Sequence, residues 1–183
     1  MNWKSCLDAR PIVVALAGSN GAGKTTFFNA HLADTGLRFV NADELALELG
    51  AGAYEAADLA DSLRRTLIKR RASFVFETVF SDPIGDKVEF LKESQAGGHQ
   101  VVLIFIRIDG VETSKRRVSM RVLQGGHDVP DEKLEQRFSR TLANLDRAIK
   151  DLPLVVVFDN SDLGHPYRLE AVYQEGRKAN DSA

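Results

Sequence analysis

A glycine-rich segment directly after an apolar run is the feature that most constrains this chain. Residues 18–25 read Gly-Ser-Asn-Gly-Ala-Gly-Lys-Thr, and they follow Ile-Val-Val-Ala-Leu-Ala at 12–17. Glycines let successive backbone N–H groups curl around a polyphosphate, and the positive end of the following helix points at the same charge. The complete G-x-x-x-x-G-K-[ST] spacing between a strand and a helix therefore predicts a nucleoside triphosphate site.

The positions of this phosphate loop have separate expected roles. Lys24 is expected to reach the β- and γ-phosphates, and Thr25 is expected to ligate Mg²⁺. The alternative is an ordinary glycine-rich turn before a helix over residues 25–32, and the complete match makes it the weaker interpretation. We assign nucleotide binding to Gly18, Ser19, Asn20, Gly21, Ala22, Gly23, Lys24, Thr25 and Thr26.

The chain has the size and composition of one domain. With 183 residues, of which 44% are hydrophobic, it can bury a sizeable core, and no stretch is long and apolar enough to span a bilayer. We therefore treat 1–183 as a single domain without a membrane segment. The N-terminus shows no secretion signal and the lone Cys6 excludes an internal disulfide framework, so we expect a cytoplasmic protein.

Short apolar runs alternate with segments of helical periodicity. The runs cover residues 12–17, 39–41, 74–77, 101–108 and 154–158, and a helix that leads into the third run is predicted over 53–72. The run at 101–106 is continuous rather than alternating, which is typical of parallel strands buried on both faces. The pattern predicts an α/β fold of the P-loop NTPase type, with a five-stranded, mainly parallel sheet between two helical layers. Ligands of such sheets bind at the carboxyl ends of the strands.

A polar loop between two helical segments predicts a lid. Helical periodicity covers 111–122 and 131–150, and the loop at 123–130 reads Leu-Gln-Gly-Gly-His-Asp-Val-Pro. We expect residues of about 111–140 to form a helical lid whose loop closes over a phosphate and excludes water. A plain helix–helix turn is the alternative.

Acidic residues follow several of the predicted strands. Asp43 is the leading candidate for a general base toward an acceptor hydroxyl, and a helix N-cap for 44–49 is its alternative role. Glu77 closes the third strand, where an acid can meet magnesium-bound water or a substrate hydroxyl. Asp159 follows the last run, and we assign it either a structural role or a position on the side of the nucleotide base.

Arginines on both sides of the polar loop are candidates for binding the transferring phosphoryl group, because a planar guanidinium suits that charge. Arg121 and Arg137 lie next to the loop and are favoured. The alternative is that any of them is a surface charge paired with acids such as Glu135 and Asp131. His127 is the only histidine near the predicted site, and the histidines lack metal-ligand spacing. The arginines are Arg116, Arg117, Arg121, Arg137 and Arg140.

Four segments together resemble the zeta-toxin family. They are Gly-Ser-Asn-Gly-Ala-Gly-Lys-Thr-Thr at 18–26, Asn-Ala-Asp-Glu at 41–44, Phe-Glu-Thr-Val-Phe-Ser at 76–81, and Arg-Val-x-x-Gly-Gly-His-x-Val-Pro at 121–130 with Arg137 downstream. The resemblance covers about residues 12–150. Its specific part is the ordered set that follows the phosphate loop.

This resemblance implies a P-loop kinase that uses ATP and Mg²⁺ to phosphorylate the 3′-hydroxyl of the sugar in UDP-N-acetylglucosamine or a related nucleotide sugar. It implies that Lys24 binds phosphate and that Asp43 is the base. It also implies that Glu77 with Thr78 helps to hold either the sugar or the side of the site that binds magnesium. Arg121 and Arg137 then stabilise the transferring phosphate. It leaves open whether an antitoxin protein binds this chain.

Two other functions stay open on the sequence. A regulatory or mechanochemical ATPase is suggested by Leu-Gln-Gly-Gly-His at 123–127, which is superficially similar to the Leu-Ser-Gly-Gly-Gln signature of transporter ATPases. A nucleic-acid hydroxyl kinase requires salt-sensitive binding to oligonucleotides, although a net charge of −2 gives no general attraction to nucleic acid. Its basis is a basic cluster on a predicted helix, formed by Arg64, Arg65, Lys69, Arg70 and Arg71.

Overall fold

The computed structural model of the chain describes residues 3–124 and 129–179. Its strands are β1 (Ile12–Ala17), β2 (Arg38–Val40), β3 (Phe74–Thr78), β4 (Gln100–Arg107), β5 (Leu154–Asp159), β6 (Arg168–Gln174) and β7 (Arg177–Lys178). They form one sheet in the order β2-β3-β1-β4-β5-β6-β7. The first five strands pair in parallel, and β6 and β7 are antiparallel additions.

The sheet has seven strands, so the predicted five-stranded sheet is wrong in number. All five predicted runs are strands, and the two missed strands lie at one edge. β6 has only two buried residues, Ala171 and Val172, because much of the strand is open to solvent. Its sequence therefore lacks the continuous apolar run by which the buried parallel strands were recognised.

The helices are α1 (Lys24–Phe27), α2 (Ala42–Leu49), α3 (Ala53–Lys69), α4 (Asp86–Ala96), α5 (Val111–Leu123) and α6 (Asp131–Asp151). The predicted helix over 25–32 is divided, because α1 continues as a π-helical turn at Phe28–Leu32. The helix predicted over 53–72 ends earlier, at Lys69. None of the helices within 3–124 and 129–179 is long and apolar enough to cross a membrane.

Alternate residues of the central strands face opposite helical layers, as the pleat of a strand requires. Val13 and Ala15 of β1 pack with buried residues of α3, α4 and α6. Val14 and Leu16 pack on the other side with Phe27 of α1 and the turn at Trp3–Leu7. The predicted three-layer α/β/α arrangement is confirmed.

Helix α6 is attached to the segment that leaves the carboxyl end of β3. The Thr141 hydroxyl donates to the carbonyl of Val79 at 2.8 Å, and the buried Asn144 amide donates to the carbonyls of Phe80 and Asp82. These bonds fix the second helix of the predicted lid against the strand that carries Glu77. Residues 125–128, which include His127, lie outside the described residues, so closure of the lid loop stays a prediction.

Candidate nucleotide and acceptor site

The phosphate loop connects the carboxyl end of β1 to α1 and depends on glycine at several points. Gly18, Gly21 and Gly23 have φ values of 148°, 72° and 91°, a region that favours glycine. A Cβ atom at Gly23 would lie 2.8 Å from both the Asn160 amide nitrogen and the Tyr167 hydroxyl oxygen. The loop is therefore held in a conformation that other residues would strain or block.

Helix α5 holds the loop from one side. The Ser114 hydroxyl donates to the carbonyl of Asn20 at 2.7 Å, and Arg117 donates to the carbonyl of Gly21 at 3.4 Å. Arg117 also donates to the carbonyls of Asn160 and Ser161 at 2.9 and 3.2 Å. This arginine thus links the loop to the chain that follows β5.

The segment after β5 holds the other side of the loop. The Asn160 amide donates to the carbonyl of Ala22 at 2.8 Å, and the Tyr167 hydroxyl donates to the carbonyl of Gly23 at 2.9 Å. Burial raises the pKa of Tyr167. Because these partners bind loop carbonyls, they do not compete with an anion for the N–H groups of the loop.

The Glu77 carboxylate is the centre of the site. One of its oxygens accepts from the Thr25 hydroxyl at 2.8 Å and from the Asn41 amide at 3.2 Å. The other lies 3.7 Å from the Lys24 ammonium nitrogen. Strand pairing explains this meeting, since Glu77 of β3 is in register with Leu16 of β1, just before the loop.

The Lys24 ammonium is buried among groups of both charges. It donates to the carbonyl of Ser19 at 3.1 Å. Burial lowers the pKa of Lys24, the carboxylates of Glu77 and Asp43 oppose this, and the charge of Arg121 adds to the lowering. The structure therefore brings Glu77, Asp43 and Arg121 close enough to Lys24 to act on its charge.

Asp43 is not the N-cap of α2, so that alternative is wrong. The cap is Asn41, whose side-chain oxygen accepts from the backbone N–H of Asp43 at 2.8 Å. Asn41 thus caps α2 with its oxygen and holds Glu77 with its nitrogen. This leaves the exposed Asp43 carboxylate outside the capping bond and in the first turn of α2, beside the phosphate loop.

A cleft of about 590 Å³ opens beside these acids, between α2, α3, the end of β3 and the start of α4. Its size is in the range of small-molecule sites. Within the segment 44–73, the residues that line this cleft all belong to α3. The residues that bear on chemistry are Asn41, Asp43, Asp58, Glu77, Thr78 and Lys87.

The candidate arginines have different surroundings. Arg121 lies exposed in the last turn of α5, and Arg137 lies partly buried on α6, on the face that also carries the buried Leu134 and Thr141. Contact of Arg121 and Arg137 with a phosphate stays a prediction. The acids Asp131 and Glu135, considered as partners for these arginines, instead lie within 4 Å of the ammonium of Lys115.

The basic cluster expected on the helix over 53–72 does not form one charged face. Arg64 is buried beside Asp61, and Arg65 binds the same carboxylate. Arg71 donates instead to the carbonyl of Gly97. The cluster is thus divided between a buried network and the surface.

Sequence reasoning missed several residues that build the site. Asn41 could have been found from its place between a strand and a helix, where asparagine is a favoured cap. Asn160 and Tyr167 act through loop carbonyls, and no local pattern marks them. Arg117 was recognised as a candidate, but its contacts with the phosphate loop depend on how α5 packs.

Asp159 has a structural role, which is one of the two roles expected for it. It accepts from the Ser161 backbone N–H and hydroxyl and from the Arg168 guanidinium. The hydrogen bonds from Ser161 lower the pKa of Asp159. This carboxylate fixes the turn after β5 that presents Asn160 to the phosphate loop.

A family model described as Zeta toxin matches residues 53–170, which is well over half of the chain. The chain belongs to the Zeta toxin family. The matched region begins after the phosphate loop, so the family assignment and the loop motif are separate observations. Together with the sheet order and the loop geometry, they give this family member the fold of a P-loop kinase.

Some solved structures share the fold at low identity, and another protein is similar in sequence. A chain of the AvrRxo1-ORF1:AvrRxo1-ORF2 complex crystallised with ATP aligns at a TM-score of 0.70 and 21% identity, covering 97% of this chain and 63% of that chain. A chain of the PezAT chromosomal toxin–antitoxin system of Streptococcus pneumoniae aligns at 0.58 and 18% identity, covering 82% and 69%. An uncharacterized protein of Haemophilus influenzae is 27% identical over 129 residues, covering 66% of this chain and 88% of that protein. The present chain therefore spans less than two thirds of the AvrRxo1 chain.

Proposed function

We propose that this Zeta toxin family member is an ATP-dependent kinase that transfers the γ-phosphoryl group of ATP to a hydroxyl of a small molecule. The proposal rests on one observation. Lys24 of the phosphate loop and the strand-end acids Asp43 and Glu77 meet at the mouth of a cleft large enough for an acceptor. The two reactants can therefore bind on opposite sides of the same group of charges.

The phosphate side of the reaction needs charge compensation more than covalent chemistry. The N–H groups of residues 18–26 bind the polyphosphate, and Lys24 reaches the transferring group. Arg121 and Arg137, from the two helices of the lid, add positive charge as the phosphoryl group moves. The AvrRxo1 complex crystallised with ATP supports ATP as the donor.

The acceptor side needs a base within reach of a hydroxyl. Asp43 supplies an exposed carboxylate in the cleft, and it takes the hydroxyl proton as the oxygen attacks the γ-phosphorus. The bond between the γ-phosphorus and the β,γ-bridging oxygen breaks, and ADP leaves. Glu77 and Thr78 line the same cleft and orient the acceptor.

The donor set at the loop fits a magnesium ion. The Thr25 hydroxyl and a Glu77 carboxylate oxygen lie 2.8 Å apart, and hard oxygen ligands of this kind suit Mg²⁺. Mg²⁺ is usually held by few protein ligands together with substrate phosphates. Within the described residues no group of three or more His, Cys, Asp and Glu could hold a metal. When bound, the ion supplies neutralising charge at the β- and γ-phosphates.

The family resemblance makes a nucleotide sugar such as UDP-N-acetylglucosamine the first acceptor to test, and the size of the cleft supports an acceptor of that class. We place the reaction in the cytoplasm, where ATP is supplied. An antitoxin-like protein partner is a further part of this proposal, because PezAT is a toxin–antitoxin system.

The test is a phosphoryl-transfer screen read by mass spectrometry. Purified protein with ATP and Mg²⁺ is incubated with sugars, phosphorylated sugars and nucleotide sugars, beside the Lys24→Ala variant. We expect one acceptor to gain a single phosphoryl group with wild type and none to do so with the variant. Steady ATP hydrolysis that no acceptor accelerates would favour an ATPase and contradict the kinase proposal.

A further inference from the structure

A second cavity, the α6 cavity, lies between α6 and the strands β4, β5 and β6. It shares no lining residue with the cleft beside Asp43 and Glu77. Its volume is about 350 Å³, within the range of about 300–1,000 Å³ that is typical of small-molecule sites. Its lining includes the buried side chains of Leu145, Val157 and Ala171. The α6 cavity is therefore a recess with an apolar floor.

The rim of the α6 cavity carries more negative than positive charge. Its charged residues are all exposed, and they are Arg107, Asp109, Asp146 and Glu170. Arg107 forms an ion pair with Glu170, so these two charges balance. Neither Asp109 nor Asp146 has a side-chain hydrogen bond or an ion pair with another described residue. Two unpaired carboxylates therefore stand at the rim.

The fold itself makes no use of these two carboxylates. Asp109 directly precedes the start of α5, yet the cap position is Gly110 and no side chain caps that end of the helix. Lys150 lies one turn after Asp146 on α6, but it does not line the α6 cavity, and no ion pair joins the two among the described residues. A carboxylate beside apolar surface loses hydration, and a bound cation would supply the missing partner.

Two aromatic rings line the same cavity. Phe138 of α6 and Tyr173 of β6 are both partly buried. The face of an aromatic ring attracts a cation, and both rings offer apolar surface to the rest of a ligand. An anion would instead be repelled by Asp109 and Asp146. The lining thus favours a ligand that has both a positive charge and an apolar body.

We propose that the α6 cavity binds a small primary amine carried on an apolar body. The ammonium group meets Asp109 and Asp146 at the rim, and the apolar body covers the floor. This site goes beyond the proposed function and does not depend on it. Phe138 and Leu142 of its lining also border a narrow gap beside Ser19 of the phosphate loop, so the amine binds next to the nucleotide site.

The test measures binding without turnover. Isotope-labelled wild-type protein is titrated with phenylbutylamine, with phenylbutanol as its neutral analogue and with phenylbutyrate as its anionic analogue. The backbone amide resonances are followed by NMR. We expect saturable shifts at Leu145 and Ala171 with the amine, affinity for the alcohol about tenfold or more weaker, and the weakest binding for the anion. Equal affinity for the amine and the alcohol, or no saturable shift with the amine, would overturn the proposal.

A double variant tests the two carboxylates. We expect Asp109→Asn/Asp146→Asn to weaken amine binding by about tenfold or more and to leave alcohol binding unchanged. Asp131→Asn/Asp151→Asn is the control with the same change in net charge, because these acids of α6 lie beside lysines outside the cavity. Equal weakening in both double variants would show a general charge effect and overturn the site.

A further variant tests the location. Leu142 is 36% exposed at the cavity, so Leu142→Trp fills the opening without disturbing the core. We expect it to abolish binding of both the amine and the alcohol, and wild-type amine affinity in this variant would overturn the location. Sedimentation measures whether a second copy of the chain covers the cavity instead. A wild-type dimer that Leu142→Trp dissociates would replace the amine by that second copy.

Discussion

Gly23 shows how a single residue controls the phosphate loop. Its φ of 91° and the contacts that a Cβ would make with Asn160 and Tyr167 predict that Gly23→Ala weakens ATP binding by at least tenfold and destabilises the fold by about 1–3 kcal/mol. Gly36→Ala is the control, because Gly36 also has a positive φ but no atom lies within 4 Å of its Cβ position. Calorimetric titration with ATP and urea unfolding of both variants test this. Equal ATP affinity in the two variants would contradict it.

Glu77 is predicted to set the magnesium requirement. Its carboxylate accepts from Thr25 and Asn41, and Glu77→Gln removes the negative charge and replaces one acceptor oxygen by an amide donor that cannot ligate a cation. We expect the magnesium concentration for half-maximal ADP release to rise by about tenfold, from the loss of one charged ligand. Rates measured over a series of magnesium concentrations test this, and an unchanged midpoint would remove Glu77 from the metal site.

At the residue scale, the sequence predicted where Lys24, Asp43 and Glu77 lie on the sheet, and their chemical roles stay predictions. Lys24, Asp43 and Glu77 each follow or end a recognisable strand, and parallel strands bring their carboxyl ends together. Asn160 and Tyr167 could not be predicted in the same way. They bind the loop from the chain after β5, and that contact arises only when the sheet is assembled.

The attachment of α6 to the end of β3 is the element-scale feature most open to test. Asn144→Ala leaves the carbonyls of Phe80 and Asp82 without their donor, so we expect a loss of about 1–3 kcal/mol in the free energy of unfolding. Ser139→Ala is the control, since Ser139 is exposed on the same helix. Urea unfolding of both variants is the measurement. Equal stability of the two variants would show that this attachment contributes little.

The spacing of apolar residues predicted some helix and strand boundaries and missed others. The periodicity of α5 and α6 predicted both helices to within a residue at each end, because both are amphipathic and lie on the core. The division of the predicted helix over 25–32 into an α-helical and a π-helical turn was not predictable from apolar spacing. β6 was missed because an exposed edge strand needs few apolar residues.

Across the whole molecule, stability is predicted to fall in mild acid because of a buried histidine. His99 is 3% exposed, and burial lowers the pKa of its ring below the ordinary 6.5. The unfolded chain therefore binds a proton more readily than the folded protein once the pH drops below about 6.5, and the free energy of unfolding declines from there until the pH passes the lowered pKa. Burial likewise lowers the pKa of His31.

Urea unfolding at a series of pH values between 7.5 and 5, on the order of half a unit apart, tests this pH dependence. We expect the free energy of unfolding of His99→Gln to decline less steeply with falling pH than that of wild type. The His31→Gln variant measures how much of the decline comes from the second histidine. An identical pH dependence in wild type and His99→Gln would contradict the assignment to His99.

For the molecule as a whole, the sequence predicted the layers and the edge of the sheet where the site lies. The continuous apolar runs predict parallel strands, and parallel strands determine which loops meet. The cleft beside Asp43 and Glu77 could not be predicted, since its walls depend on how α2 and α3 pack against the end of β3. Its charge pattern depends on ion pairs between α3 and α4 that no local pattern reveals.

Asp43 is proposed to be the base of a kinase that binds ATP without the help of this residue. The most direct measurement compares Asp43→Asn with Asp58→Asn, a second acid of the same cleft, for ATP affinity and for acceptor-dependent release of ADP. We expect Asp43→Asn to keep wild-type ATP affinity but to lose transfer by about 100-fold or more, and Asp58→Asn to stay within a few-fold of wild type. Transfer by Asp43→Asn at the wild-type rate would show that Asp43 is not the base.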